Sequence, residues 1–175
     1  MIPTLTTDRL ILREITMKDT VDIFRIFSLK EVTQYYGVKT FTTLQESGNL
    51  IGTFSKSYQD RRGMRWGIER KDQKGLIGTI GFNLWSPIHR RAEIGYEIHS
   101  YFWNRGYATE AVMKIVSYGF ENLKLNRIGA IVLSENEASI HLLKKLGFEE
   151  EGILRDYIYQ NGESLDTYVL GLVKP

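Results

Sequence analysis

Trp103-Asn104-Arg105-Gly106-Tyr107-Ala108-Thr109 is the stretch on which the reading of this chain turns. It opens the clearest helix in the sequence. Ala108, Ala111, Val112, Ile115, Val116 and Gly119 recur at i, i+3, i+4, i+7, i+8 and i+11, a one-sided apolar stripe. Glu110 and Lys114 are expected on the outer face as an i,i+4 pair. The first amides of a helix have no partner inside it, and its dipole is positive at that end. Gly106 and Ala108 keep the surface low, so a diphosphate can approach the backbone. Arg105 is placed to add a charge-assisted contact. Taken alone, the same residues also fit a plain helix start with a packing glycine.

Working outward, Ala92–His99 before this loop and the Ile/Val-rich Arg127–Leu133 after the helix read as strands. Residues 8–15 alternate polar and apolar and predict another. Arg65–Arg70 and Leu76–Trp85 predict a hairpin across the polar turn at residues 71–75. Asp19–Phe27 and Leu44–Tyr58 have helical spacing, the second interrupted by Gly48 and Gly52. A second late helix follows Ser134-Glu135-Asn136-Glu137. There Ser134 with Glu137 makes a capping box and Asn136 is the competing N-cap; Gly147 ends it. Phe148–Tyr159 and Ser164–Val173 flank Asn161-Gly162, a strong hairpin signal. The order β-α-α-β-β-β-α-β-α-β-β predicts a mixed α/β sheet, mostly antiparallel, rather than a doubly wound one.

The bulk composition narrows the functions. A chain of 175 residues without linker or repeat is expected to form one domain, residues 1–175. A formal net charge of +2 is too small to argue for nucleic acid or an anionic membrane. The absence of cysteine excludes disulfides, thiolate metal sites and a cysteine nucleophile. His89, His99 and His141 lack metal-ligand spacing, so no metal is expected. The start, Met1-Ile2-Pro3-Thr4-Leu5, has no secretory pattern, and no apolar run reaches the roughly 20 residues of a membrane span. A cytoplasmic location is expected. Arg61-Arg62, Arg65 and Arg90-Arg91 read as a solvated face, or else as steering for an acidic partner.

Four stretches, in order, resemble the GCN5-related N-acetyltransferase (GNAT) superfamily, and within it the group of ribosomal-protein N-acetyltransferases. These are Thr7-Asp8-Arg9-Leu10-Ile11-Leu12-Arg13 with Asp19, then Ala92-Glu93-Ile94-Gly95-Tyr96-Glu97-Ile98, then residues 103–111, then Asn136-Glu137-Ala138-Ser139 with Leu146-Gly147-Phe148. Glu151-Gly152 and Asp166 also fit that group's C-terminal hairpin. Two positions depart from the superfamily. Trp103 replaces a usual Gln or Arg, as is typical of the group, and Leu143 stands where a tyrosine often acts as general acid.

The resemblance implies an acyl-CoA N-acyltransferase fold with helices on both faces and splayed fourth and fifth strands, the pantetheine arm of acetyl-coenzyme A lying in the gap. The arm would pair with backbone around Ile98 and His99, with Asn136 reaching it from the other side. Asn104, Arg105, Gly106, Tyr107, Ala108 and Thr109 would hold the diphosphate. Glu93 matches a superfamily general base. Glu97 shares its strand face and is the second candidate; either would instead pair with Arg90, Arg91 or another cation. Ser139 would hydrogen-bond the leaving thiolate, or else its own backbone. Without a cysteine, direct attack by the amine is expected, the oxyanion being held by a strand amide such as that of Ile98. Tyr36, Trp85 and Tyr157 are candidates to line an acceptor cleft.

The acceptor expected first is a protein N-terminal α-amine, such as that of a ribosomal protein. A small amine (a polyamine, an amino sugar or a toxic amine) is the alternative, and a non-catalytic acyl-CoA sensor the third. An α-amine has a pKa near 8 and a lysine-type amine near 10.4, a difference of roughly 3 kcal/mol in deprotonation. A monomer and a homodimer are both compatible with the sequence.

Overall fold

The computed structural model describes every residue, Met1–Pro175. Its strands are β1 (Leu5–Thr6), β2 (Leu10–Glu14), β3 (Met64–Arg70), β4 (Gln73–Ser86), β5 (Arg91–Ile98), β6 (Arg127–Leu133), β7 (Glu149–Gln160) and β8 (Glu163–Val173). Its helices are α1 (Thr20–Phe27), α2 (Lys30–Thr33), α3 (Leu44–Gln59), α4 (Tyr107–Glu121) and α5 (Glu137–Lys145). The eight strands form one sheet in the order β1-β2-β3-β4-β5-β6-β8-β7. All neighbours are antiparallel except β5 and β6. The mixed, mostly antiparallel α/β architecture expected from the sequence is therefore present.

Two short elements escape the sequence reading: β1 and α2 are too brief for a periodicity to register. The β3–β4 turn is also tighter than expected. Arg70 pairs with Gln73, and Lys74 and Gly75 bulge out of the register, Gly75 at φ +103°. Gly48 and Gly52 do not break α3, which Thr43 and Glu46 start with a capping box. Asn136 wins the competition to cap α5: its side chain accepts from the Ser139 amide at 3.2 Å. Asn161 and Gly162 make the β7–β8 turn, both at positive φ.

The main core joins β2–β6 to α4 and to Leu143 of α5, and a smaller cluster lies under α1, α2 and α3. The stripe read from the sequence is the buried face of α4, where Ala111, Val112 and Ile115 are fully enclosed. Burying a side chain such as Val112 or Ile115 contributes about 1.5–3 kcal/mol. Gly119 has a steric reason: a Cβ there would lie 2.8 Å from the Phe82 ring, so glycine lets α4 settle onto β4. Glu110 does not pair with Lys114. It turns back to Arg9, 2.7 Å away, because β2 brings that guanidinium beneath the first turn of α4.

β5 and β6 pair only at Arg91–Arg127, Ala92–Ile128 and Glu93–Gly129. Beyond that point β5 continues along β4 to Ile98 and β6 continues along β8 to Leu133, without pairing with each other. This is the expected splay, between the fourth and fifth of the sequence-predicted strands.

Candidate active site

The wedge opens into a cleft of about 570 Å³. Its walls come from β5 and the loop after it, from the first turns of α4 and α5, and from α2 with the segment behind it.

One end of the cleft is built for an anion. Asn104 at φ +58° and Gly106 at φ +78° turn the loop so that successive amides face one way. The N–H groups of Asn104 through Thr109 donate to nothing within the chain, and the first helical bond of α4 is from Glu110 to the Gly106 carbonyl. Unpaired amides at a helix N-terminus suit a diphosphate. The loop thus fits a diphosphate such as the one that joins the pantetheine arm of coenzyme A to its nucleotide. Of the predicted residues, Asn104, Gly106, Tyr107, Ala108 and Thr109 line the cleft. Arg105 differs: its guanidinium lies over the Tyr101 ring, 4.8 Å from the centroid, outside the cleft lining.

In the middle of the cleft, strand alternation sorts the backbone groups. The His99 amide donates to Ile77 of β4 at 2.8 Å, so His99 offers the gap no N–H. The neighbouring Ile98 amide then faces the gap, since hydrogen-bonding direction alternates along a strand. The Ile98 carbonyl accepts from Trp103 Nε1 at 2.7 Å. The departure at Trp103 thereby acquires a local role, tying the loop to the end of β5. Asn136 and Ser139 line the opposite wall.

Ser139 does not bond its own helix through its hydroxyl. Its Oγ lies 2.8 Å from the Tyr96 hydroxyl, which reaches across the splay. Burial pushes the Tyr96 phenol up to about 12, with Ser139 pulling the other way. Tyr96 keeps its proton at neutral pH, and either hydroxyl of the pair can donate to the other. The sequence reading misses it, because its parity matches buried Ile94 and Ile98 and it reads as core. Leu143, at the usual tyrosine position, is 1% exposed inside the core and takes no part in proton transfer.

The two glutamates of β5 occupy different environments. Glu93 lies at the closed end of the wedge, in the last β5–β6 pair, and does not line the cleft. Burial raises its carboxyl, with Arg91 and Arg127 opposing. Glu97 lines the cleft and is 6% exposed. It pairs with Arg65 at 2.5 Å and accepts from the Thr79 hydroxyl. Burial pushes the Glu97 carboxyl up, with Arg65 and Thr79 opposing. Arg65 is consequently not part of a solvated basic face, as its neighbours in sequence suggest. It is 3% exposed and fully engaged, donating to Thr79 at 2.8 Å and to the Gly95 carbonyl at 3.0 Å as well. The physical reason is that α1–α3 cover the face of β3 that alternation alone would leave polar and wet.

The far end is acidic and aromatic. Glu31, Tyr35 and Tyr36 complete it next to Glu97. Tyr36 is the one predicted acceptor-cleft residue present there; Trp85 and Tyr157 lie elsewhere. Burial raises the Tyr36 phenol. Glu31 accepts from Ser100 at 2.9 Å. Further acidic groups, Glu135 and Glu137, stand on the α5 side, and no lysine, arginine or histidine lines the cleft. No cluster of His, Cys, Asp or Glu in the chain is arranged to hold a metal ion, and no helix is long and apolar enough to cross a membrane.

A splayed sheet with an anion-binding loop at one end of the wedge is the architecture of acyl-coenzyme A-dependent acyltransferases. Residues 9–149 match the family model described as the acetyltransferase (GNAT) domain. The chain is 55% identical to the uncharacterized N-acetyltransferase YoaA of Bacillus subtilis (strain 168), across 100% of this chain and 99% of that protein. It is 30% identical to the spermidine N(1)-acetyltransferase of Escherichia coli (strain K12), across 87% and 79%. The structure of spermidine N-acetyltransferase from Vibrio cholerae in complex with CoA and spermine superposes with a TM-score of 0.83, at 25% identity over 95% of this chain and 96% of that one. The chain belongs to the GNAT acetyltransferase family and is an acetyl-CoA-dependent N-acetyltransferase. The sensor alternative is thereby set aside.

Proposed function

We propose that the acceptor is a primary amine on a molecule bearing additional positive charge, a small polyamine-like compound being the best fit. The observation that supports this is the lining described above: glutamates and tyrosines surround the acceptor end without a single basic side chain. A carboxylate attracts an ammonium, and tyrosine faces add a cation–π contribution of about 0.5–2 kcal/mol. An anionic acceptor would meet the carboxylates of Glu31, Glu135 and Glu137 with no basic side chain in the lining to offset them.

In this reading Glu97 orients the ammonium and takes its proton through a water. The neutral amine attacks the thioester carbonyl directly and the developing oxyanion faces the Ile98 amide; as the C–S bond breaks, the nitrogen's surplus proton passes to the departing thiolate, which is met by the hydroxyls of Ser139 and Tyr96. A thiol with a pKa near 8.5 leaves as a thiolate with hydrogen bonds alone, so the lack of a stronger acid at Leu143 is tolerable. Asn104, Gly106, Tyr107, Ala108 and Thr109 hold the diphosphate by their backbone, and Asn136 faces the pantetheine arm.

A protein N-terminal α-amine is the second reading. It is supported by the open mouth, where Glu31 is exposed and Tyr35 is 37% exposed, leaving room for a chain to emerge. An acceptor panel of a triamine, a matched monoamine and short N-terminal peptides separates the two. The small-amine reading expects the triamine to have the highest kcat/KM. Glu31→Gln, at the exposed rim, should raise KM for the triamine about threefold to fivefold and leave the monoamine unchanged. Peptides turning over faster than every small amine would replace the first reading with the second.

A further inference from the structure

Thr7-Asp8-Arg9 is distant in sequence from residues 104–110, yet it lies directly beneath them. The Arg9 amide donates to Glu110 Oε1 at 2.8 Å and Arg9 Nε donates to Glu110 Oε2 at 2.7 Å. The Thr7 hydroxyl also donates to Glu110, so that carboxylate is held from three sides. Arg9 Nη1 then donates to the Arg105 carbonyl at 2.9 Å, 96 residues away along the chain. The same guanidinium lies 4.5 Å from the centre of the Tyr107 ring. Its Nη2 has no hydrogen-bond partner in the chain and sits 3.2 Å from where a Cβ on Gly106 would be. One side chain therefore grips residues 105, 107 and 110 and keeps one N–H edge free beside Gly106.

The loop needs such a grip. Asn104 is a non-glycine residue at positive φ, and a run of amides pointing the same way is self-repelling until an anion arrives. Nothing within residues 104–109 compensates for this, since those amides have no internal acceptor.

We infer that Arg9 is the positioning residue of the diphosphate loop, holding it in its binding shape through the Arg105 carbonyl and Glu110 from outside the cleft lining. This rests on the reading that the amides of residues 104–109 take the diphosphate of coenzyme A. It also accounts for the opening strand motif, which the catalytic residues leave unexplained.

The test compares two ligands, coenzyme A by calorimetry and pantetheine (the same arm without the diphosphate and the 3′-phosphoadenosine beyond it) by NMR titration. Arg9→Gln should weaken coenzyme A binding about tenfold or more, through loss of the contacts to Glu110 and the Arg105 carbonyl that order the loop. Pantetheine binding and Tm should stay near wild type, because Arg9 is on the rim with its side chain 47% exposed. Arg9→Lys, which keeps the charge but not the fork, should fall between. Unchanged coenzyme A affinity in Arg9→Gln overturns the inference, as does an equal loss of both ligands with a lowered Tm. Should Arg9→Gln not fold, wild-type coenzyme A affinity in Arg9→Lys overturns it. Wild-type protein that binds pantetheine no more weakly than coenzyme A would instead remove the loop reading itself.

Discussion

Arg65→Met is expected to destabilise the protein by about 3–5 kcal/mol, read from denaturant unfolding, because it strands a buried carboxylate. Arg65 and Glu97 are both almost fully enclosed, and the pair is completed by Thr79 and the Gly95 carbonyl. Methionine fills a similar volume but leaves Glu97 with only the Thr79 hydroxyl. The carboxyl of the variant then titrates above its unfolded value. Its stabilising contribution is present below the unfolded pKa of about 4.3 and is lost as pH rises through the folded one. The stability gap between Arg65→Met and wild type should accordingly be wider at pH 8 than at pH 5. Arg65→Met/Glu97→Leu, which removes both charges, should recover most of the loss, since an apolar pair of like volume is often as stable as a buried ion pair. That double variant separates stability from function: it should fold and still bind coenzyme A, yet transfer acetyl poorly. A single variant within 1 kcal/mol of wild type would show that Glu97 is already solvated or protonated in the folded protein, and the cleft assignment would have to change.

The architecture is legible because its signals are local. The stripe from Ala108 to Gly119, the turn at Asn161-Gly162 and the alternation of β2 and β5 each state an element within one window, and their order forces the topology. The loop proposed to take the diphosphate stands out for the same reason, being a helix start with small residues. What is not legible depends on contacts between segments. Arg65 reads as surface because parity places it on a polar face of β3, and only the docking of α1–α3 makes that face interior. Tyr96 reads as core because its neighbours on the same face are core, and only the divergence of β6 turns it into a cleft residue. Arg9 and Glu110, 101 residues apart in sequence, read as part of a strand motif and as a partner for Lys114. A single chain carries no local signal for such a pairing. Glu93 and Glu97 share a face, so parity does not rank them; the register of β5 against β6 is what puts one at the closed end of the wedge and the other in the cleft.

That ranking carries the largest catalytic prediction. Glu97→Gln should reduce kcat by about a hundredfold, the lower end of what a positioned general base contributes, whereas Glu93→Gln should stay within about twofold. The carboxamide introduced by Glu97→Gln would keep a bond to Thr79 but could not accept a proton, and it leaves Arg65 without its counter-charge, so rates must be normalised to the folded fraction. The pH profile then distinguishes loss of a base from loss of shape. Burial raises the Glu97 carboxyl, which makes it a better proton acceptor than a solvated glutamate, while Arg65 and Thr79 oppose that rise and favour the ionised form a base needs. In wild type, kcat/KM should therefore level off once Glu97 is ionised, below the pKa of the acceptor amine. In Glu97→Gln the only neutral amine is what solution supplies, so log kcat/KM should climb with unit slope toward the amine pKa, about 10.4 for an alkylamine, and the deficit should shrink as pH rises. A purely structural lesion would lower the curve by the same factor at every pH. The opposite pattern, with the hundredfold loss in Glu93→Gln and a near-normal Glu97→Gln, would place the base at the closed end of the wedge and make Glu97 a structural partner of Arg65 alone.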